Sequence, residues 1–358
     1  MAYDPFTRGR HPVGVRSGEL DDTTRGRRLP VELWYPATAA HTGADLADPS
    51  RDRYAVLAAF PPTTQDAVRD AAPANGRFPL VVFSHGFGGH RRQSTFLCTH
   101  LASHGYVVAS PDHVGNTVVD MMQVLMDVQA GKGRPDPEAL IGDMITARPR
   151  DASAVIDFVL DGVVGGLADR IDHKRIGVTG HSFGGWTTLM TAGRDARVRA
   201  ALPLAPAGGT TPLGVNPLKE ALHAVLRPDG RVVPTLYLAS ELDTLLPLHG
   251  IRELVARTAG KPGLAVLKNA DHMHFCDRVE ETHELFRLLP QIDPFAEVAK
   301  QIRPMAELCP GAHAYEFVRG LGLAHMDAAL KEHEGAAALL AGDLAALLAA
   351  RGVAIEVA

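Results

Sequence analysis

Short, uninterrupted apolar runs separated by segments of helical character set the architecture of this chain. The runs are Leu80-Val81-Val82-Phe83, Tyr106-Val107-Val108-Ala109, Arg175-Ile176-Gly177-Val178-Thr179, Ala200-Ala201-Leu202-Pro203-Leu204, Val233-Pro234-Thr235-Leu236-Tyr237-Leu238 and Leu264-Ala265-Val266-Leu267. A strand that is apolar on both faces must be covered on both faces. Helical stretches near residues 92–104, 150–161, 184–194 and 248–258 lie between most of these runs and supply the cover. The alternation predicts an α/β fold: a mostly parallel central sheet with helices on both faces. In such sheets ligands bind beyond the carboxyl ends of the strands, so the chemistry is to be sought there.

Upstream, Val13-Gly14-Val15 and Val31-Glu32-Leu33-Trp34-Tyr35 read as antiparallel edge strands, and residues 38–77 as a long surface excursion. The 358 residues read as a single domain, 1–358, with two stretches outside the alternation. Residues 116–147, with Met121, Met122 and Met126 among valines and leucines, suit either a small helical cap insertion over the site or a connecting helix packed on the sheet. Residues 294–358 are rich in Ala and Leu and read as a helical extension docked on the core, with a homodimer face as the alternative.

Charge and cysteine content narrow the function. Thirty-six Lys and Arg against 41 Asp and Glu give a formal charge of −5 with no basic block, which argues against nucleic acid as a partner. No 18-residue apolar run is present, so no membrane span is expected. The N-terminus reaches Arg8, Arg10 and Arg16 without an apolar core, so no signal peptide is expected either. Cys98, Cys276 and Cys309 are too few and too widely spaced for a disulfide framework or a structural zinc site, and a reducing cytoplasm is the natural setting.

The strongest motif is Gly180-His181-Ser182-Phe183-Gly184-Gly185, which follows one strand and opens one helix. That is the setting of a nucleophile elbow, where a tight turn lifts a serine above the sheet and small neighbours make room for it. A phosphate-binding turn would use glycines and backbone N–H groups without a serine at the centre. A serine hydroxyl needs a base, and the base an orienting acid, in the chain order Ser, Asp or Glu, His. Downstream, the strand before Ser240-Glu241-Leu242-Asp243 supplies the acid, and the strand before Asn269-Ala270-Asp271-His272-Met273-His274 supplies the base. Asp243, in the turn past its strand, is preferred to Glu241, and His272, first after its strand, to His274. The His-Met-His spacing also admits a metal, with Asp271 or Asp277 as the third ligand. A third element, Ser84-His85-Gly86-Phe87-Gly88-Gly89, follows the first buried strand and offers the Phe87 N–H as an oxyanion donor beside the Phe183 N–H.

Other residues carry less chemistry. His85, Gly86, His181, Trp186 and His274 are candidates for the substrate pocket, Trp186 with core packing as its alternative and His274 with a packing role. Asp112 reads as a supporting carboxylate, Asp151 as a helix N-terminal residue and Cys276 as a small buried apolar residue.

On these motifs the chain resembles the α/β-hydrolase superfamily. More narrowly it resembles the dienelactone-hydrolase-like group related to platelet-activating-factor acetylhydrolases and cutinase-like polyester hydrolases. The resemblance runs over about residues 78–290, through Leu80–Gly89, Leu101–Val108, Arg175–Gly185 and Asp243–Phe275. It implies an α/β-hydrolase fold and serine-ester hydrolysis by Ser182, Asp243 and His272, with Phe87 and Phe183 as oxyanion donors and no metal or organic cofactor. Two departures stand out. Acetylhydrolases carry their acid after the strand corresponding to 199–204, where this chain has Ala205-Pro206, so Asp243 follows the polyester-hydrolase arrangement. Dienelactone hydrolases proper use cysteine where this chain has Ser182. The expected activity is hydrolysis of small-molecule carboxylic esters of short to medium chain length. The alternatives are a polyester or phospholipid-acetyl hydrolase, a catalytically silent ligand-binding member, and a metal-dependent hydrolase.

Overall fold

The computed structural model describes residues 3–57, 61–133, 136–162, 166–212, 216–288 and 295–358. These fall into two compact units, one within residues 8–176 and the other formed by residues 3–7 and those from 177 onward.

In the first unit, β1 (Val13–Asp22) and β2 (Arg27–Pro36) form an antiparallel hairpin, registered from Val13 opposite Pro36 to Asp22 opposite Arg27. After it come β3 (Asp52–Tyr54), β4 (Thr63–Gln65) and β5 (Val68–Arg69). β6 (Phe78–Ser84), α1 (Thr95–Ser103) and β7 (Val107–Pro111) make a parallel strand–helix–strand unit. The strands run in the order β6-β7-β2-β1-β5. The reading of β2 as an edge strand is therefore corrected: β7 pairs with one side of it and β1 with the other. The 38–77 excursion is likewise less superficial than its composition suggests. β5 pairs with β1, and Gln65 is buried, accepting from the Trp34 indole at 2.7 Å and donating to Asp52 at 2.6 Å. A polar side chain can lie inside a fold when internal partners satisfy it, and a composition count misses such residues.

Two helices follow. α2 (Val118–Gln129) starts at a capping box, in which Thr117 and Asp120 exchange side-chain and backbone bonds. It has no buried residue, and Val119, Met122, Leu125 and Met126 are exposed. Val118, Met121, Val124 and Val128 on the same helix are half-buried, and Met144 in the following helix is buried. Residues 134–135 of the supposed insertion lie outside the described residues. α3 (Pro137–Leu160) is longer than expected, because it continues through Pro149.

The chain passes into the second unit within β8 (Ile171–His181). Then come α4 (Phe183–Arg194), β9 (Val198–Leu204), α5 (Pro217–His223), β10 (Leu236–Ser240), α6 (Leu248–Arg257) and β11 (Gly263–Leu267). The remainder comprises α7 (Val279–Leu288), α8 (Phe295–Ala299), α9 (Gly311–Leu330), α10 (Glu334–Leu340), α11 (Leu344–Ala349) and β12 (Ile355–Val357). β9, β10 and β11 are parallel neighbours, which follows from the helix between each pair, and their side chains are almost wholly buried. The C-terminal stretch is helical as expected; residue 294 lies outside the described residues. α9 places Ala314, Phe317, Val318 and Leu321 on one buried stripe, each large side chain contributing about 1.5–3 kcal/mol. β12 adds antiparallel to β11 after the Gly352 turn, a strand that no pattern in the sequence announces. Three residues are too few for alternation to register.

Candidate active site

In the second unit β8 ends at His181 and α4 begins at Phe183, leaving Ser182 alone to turn the chain. Its backbone has φ 61° and ψ −118°, a conformation that side chains other than glycine rarely adopt. The turn is held from all sides. Ser182 N–H donates to Leu204 O at 2.9 Å, and Ser182 O accepts from Trp186 N–H at 3.1 Å and Ala207 N–H at 3.0 Å. The glycines that follow make the close approach possible: a Cβ on Gly185 would lie 2.8 Å from Pro206 Cα. Phe183 opens α4, where backbone N–H groups point out of the helix.

Asp243 stands just past β10. Its Oδ1 accepts from the N–H groups of Leu245 at 3.0 Å and Leu246 at 2.8 Å. Its Oδ2 accepts from His272 Nδ1 at 2.7 Å, and both side chains are buried. This fixes the tautomer, because a neutral His272 with its proton on Nδ1 leaves the lone pair on Nε2. Burial alone would lower the His272 pKa. The charge of Asp243, its hydrogen bond and the charge of Asp271 outweigh that and hold the pKa above the ordinary imidazole value.

His181 links this pair to the elbow. Its Nε2 donates to the main-chain oxygen of His272 at 3.0 Å, and the two rings lie 4.5 Å apart. Burial, reinforced by His272, keeps His181 neutral, its pKa well below the ordinary value. The residue immediately before Ser182 thus carries the loop of His272.

The other candidates take different places. His274 has no contact with Asp243: its Nε2 donates to Cys309 O at 2.9 Å and its Nδ1 accepts from Asp271 N–H at 3.1 Å. With both ring nitrogens spent on backbone, it packs the turn, and the pocket role is corrected. Trp186 is also corrected. It is 0% exposed and its indole donates to Leu218 O at 2.9 Å, which makes it core. Glu241 pairs with Lys268 and accepts from Asn269 N–H, away from the imidazole. Cys276 is buried, as expected, with its thiol 3.8 Å from His181 Nδ1.

The first unit holds the loop Ser84–Gly89. His85 is fully buried, with Nδ1 donating to Gly86 O at 2.7 Å and Nε2 accepting from His113 N–H at 3.0 Å, so it braces the loop and is not an open pocket surface. Gly86 N–H donates to Gln93 Oε1 at 2.9 Å, and Arg148 donates to His85 O. Phe87, between these ties and the turn at Gly88, is 50% exposed.

Behind the loop is a polar core that the sequence did not reveal. Ser84 Oγ lies 2.7 Å from His113 Nε2, and His113 Nδ1 lies 3.1 Å from Asp151 Oδ2. Asp151 also takes Arg25 at 2.7 Å and Arg27 at 2.9 Å, and Arg148 donates to Asn116 Oδ1 at 2.7 Å. Asp151 is therefore no helix N-terminal residue but the buried anion inside α3 that balances these cations. Burial lowers the Arg148 pKa to about 9 and that of His113 to about 4, so His113 donates to the carboxylate as a neutral ring. Asp112 pairs with Arg91, which agrees with a supporting role.

Residues 31–136 match the family described as platelet-activating factor acetylhydrolase, isoform II, and residues 139–276 match the family described as PET hydrolase-like. The second match contains Ser182, Asp243 and His272. A solved structure, the ferulic acid esterase from Streptomyces cinnamoneus, is similar over 90% of this chain and 92% of its own, with 26% identity and a TM-score of 0.59. The chain has the α/β-hydrolase fold. Among curated relatives, Cutinase 2 of Thermobifida cellulosilytica is 29% identical over 174 residues, covering 49% of this chain and 51% of that protein. The platelet-activating factor acetylhydrolase of Bos taurus is 26% identical over 242 residues, covering 56% and 54%. The chain spans about half the length of these relatives.

Proposed function

We propose that this chain is a carboxylic-ester hydrolase that works through an acyl-enzyme on Ser182. One observation carries the reading: Asp243 holds the Nδ1 proton of His272 at 2.7 Å, while the loop of His272 is bonded to the residue before the strained Ser182. In this reading His272 Nε2 takes the Ser182 proton as the hydroxyl oxygen attacks the ester carbonyl. The carbonyl electrons move onto oxygen, where the Phe183 N–H at the start of α4 stabilises the charge. Collapse breaks the bond to the alcohol, which leaves with the proton from His272. Water then repeats the sequence, giving the acid and restoring Ser182. Every proton in these steps is carried by the chain's own groups or by water.

The substrate class proposed is short- to medium-chain esters. The names of the relatives, two kinds of acyl hydrolase and a ferulic acid esterase, support ester chemistry and leave polyester and phospholipid-acetyl substrates as the alternatives to be measured. The test is hydrolysis of p-nitrophenyl esters from acetate to palmitate, with and without Ser182→Ala, alongside labelling by a serine-directed phosphonate. The expected result is turnover of the shorter esters, labelling of Ser182, and loss of both in Ser182→Ala with the circular-dichroism spectrum unchanged. Turnover retained in Ser182→Ala would overturn the reading, as would chelator-sensitive activity without labelling. Absence of both turnover and labelling would point to a silent ligand-binding member.

A further inference from the structure

We infer that Asp271 is a positioning residue for His272, a second carboxylate that seats the base through its main chain and sets negative charge beside it. The inference rests on the triad reading above and adds a residue that reading does not use.

Asp271 caps the short turn His272–Phe275. Its Oδ1 accepts from His272 N–H at 2.6 Å, and its own N–H donates to His274 Nδ1 at 3.1 Å. Since His274 is anchored in turn to Cys309 O, the backbone of His272 is tied independently of the bond from its ring to Asp243. A serine, threonine or asparagine would serve as well for capping alone. Asp271 carries more than a cap requires. It is 1% exposed, and its Oδ2 is buried with no hydrogen-bond partner among the described residues. Burial and the charge of Asp243 raise its pKa above the ordinary carboxylate value, while the bond from His272 N–H and the charges of His272 and His283 oppose that rise; what separates Asp271 from a neutral cap is that it can carry a charge.

The surroundings show what that charge addresses. Asp243 and Asp271 are the anions acting on His272. His181 at the end of β8 and His274 in the turn are held neutral, chiefly by burial. On α7, His283 acts on Asp271 and Glu280 on His274; on α9, Tyr315 is held protonated by burial and Asp277. The group that turns positive during ester hydrolysis is the imidazole of His272, bracketed by one carboxylate at its ring and another at its backbone.

The experiment compares the full chain with Asp271→Asn, which keeps an acceptor for His272 N–H and removes the charge, and with Asp271→Ser as a second uncharged cap. The readouts are the pH profile of kcat/KM on p-nitrophenyl butyrate, the urea midpoint, and the titration of the His272 ring followed by NMR. In both variants the acid limb and the ring titration are expected to move to lower pH, with kcat reduced and KM unchanged. A purely structural role would lower the urea midpoint and scale the rate equally at every pH. An acid limb and ring titration superimposable on those of the parent chain, with Ser182 still labelled by phosphonate, would overturn the role of Asp271 alone. Failure of the parent chain to label at Ser182 would instead overturn the triad reading, and the assignment of Asp271 with it.

Discussion

Asp243→Asn is the sharpest test of the triad, because the structure dictates how the amide must sit. Oδ1 receives two backbone N–H groups, from Leu245 and Leu246, so only the amide oxygen of asparagine fits there. The NH2 group is then forced into the place of Oδ2, facing His272 Nδ1, 2.7 Å away in the parent. Two donors cannot share that contact. The imidazole must shift its proton to Nε2 and accept at Nδ1, which removes the lone pair that deprotonates Ser182. A tautomer inverted in this way costs a serine hydrolase about 10⁴-fold in kcat, or about 5.5 kcal/mol on the barrier. Asp243→Ala, which leaves Nδ1 free to take water, is expected to lose no more than Asp243→Asn and makes the control. Stability gives an independent check. The folded pKa of His272 is raised, so its pairing with Asp243 stabilises the fold below the unfolded imidazole value and ceases to do so as pH rises through the folded value. At a pH above that point the urea midpoint of Asp243→Asn should match the parent within about 1 kcal/mol, both backbone donors keeping their acceptor. The assay is p-nitrophenyl butyrate hydrolysis with active sites counted by phosphonate burst. Asparagine within about tenfold of the parent would refute the argument from tautomers.

Two further outcomes are expected. Ser182 holds φ 61°, and strain of this kind costs about 1–3 kcal/mol, so Ser182→Gly should unfold at higher urea than Ser182→Ala by about 1 kcal/mol; equal midpoints would mean the elbow is unstrained. Asp151→Asn strips Arg25 and Arg27 of their buried carboxylate and should destabilise by about 3–5 kcal/mol in urea melts, a loss under about 1 kcal/mol speaking against its central place. Burial opposes ionisation of Asp151, yet the bonds from His113 and Arg27 hold its pKa at about 2 against an ordinary 3.8. Its contribution is therefore complete above the unfolded value and is lost as pH falls through about 2, so Asp151→Asn should flatten that part of the acid-unfolding curve.

What the sequence disclosed and what it concealed divide along a physical line. The turn at Ser182 was readable because a tight turn between strand and helix demands small residues at fixed positions around one serine, and the bonded pair Asp243 and His272 was readable as polar residues just past two apolar strands. Asp243 could be preferred to Glu241 by its place in the turn, and the structure gives Glu241 to Lys268. The polar core of the first unit was not readable. Ser84, His113 and Asp151 are separated by 29 and 38 positions, and no window holds more than one of them. Pro149 added to the concealment, since a proline ordinarily ends a helix and here α3 passes through it, setting Asp151 in the interior of the helix. Trp186 was ambiguous for a different reason: an indole at a strand-to-helix junction suits a wall or a core equally, and only the Leu218 carbonyl decides between them.

The bond from His181 has a last consequence. It ends on a peptide oxygen, so whatever side chain stands at 272 leaves the tether in place. Chemistry and scaffold are thereby uncoupled at this point: a chain stripped of its imidazole keeps the loop moored beside the elbow. If the proposed ester hydrolysis holds, such a chain would still receive an ester while being unable to turn it over, a natural vehicle for viewing a substrate before it is cut.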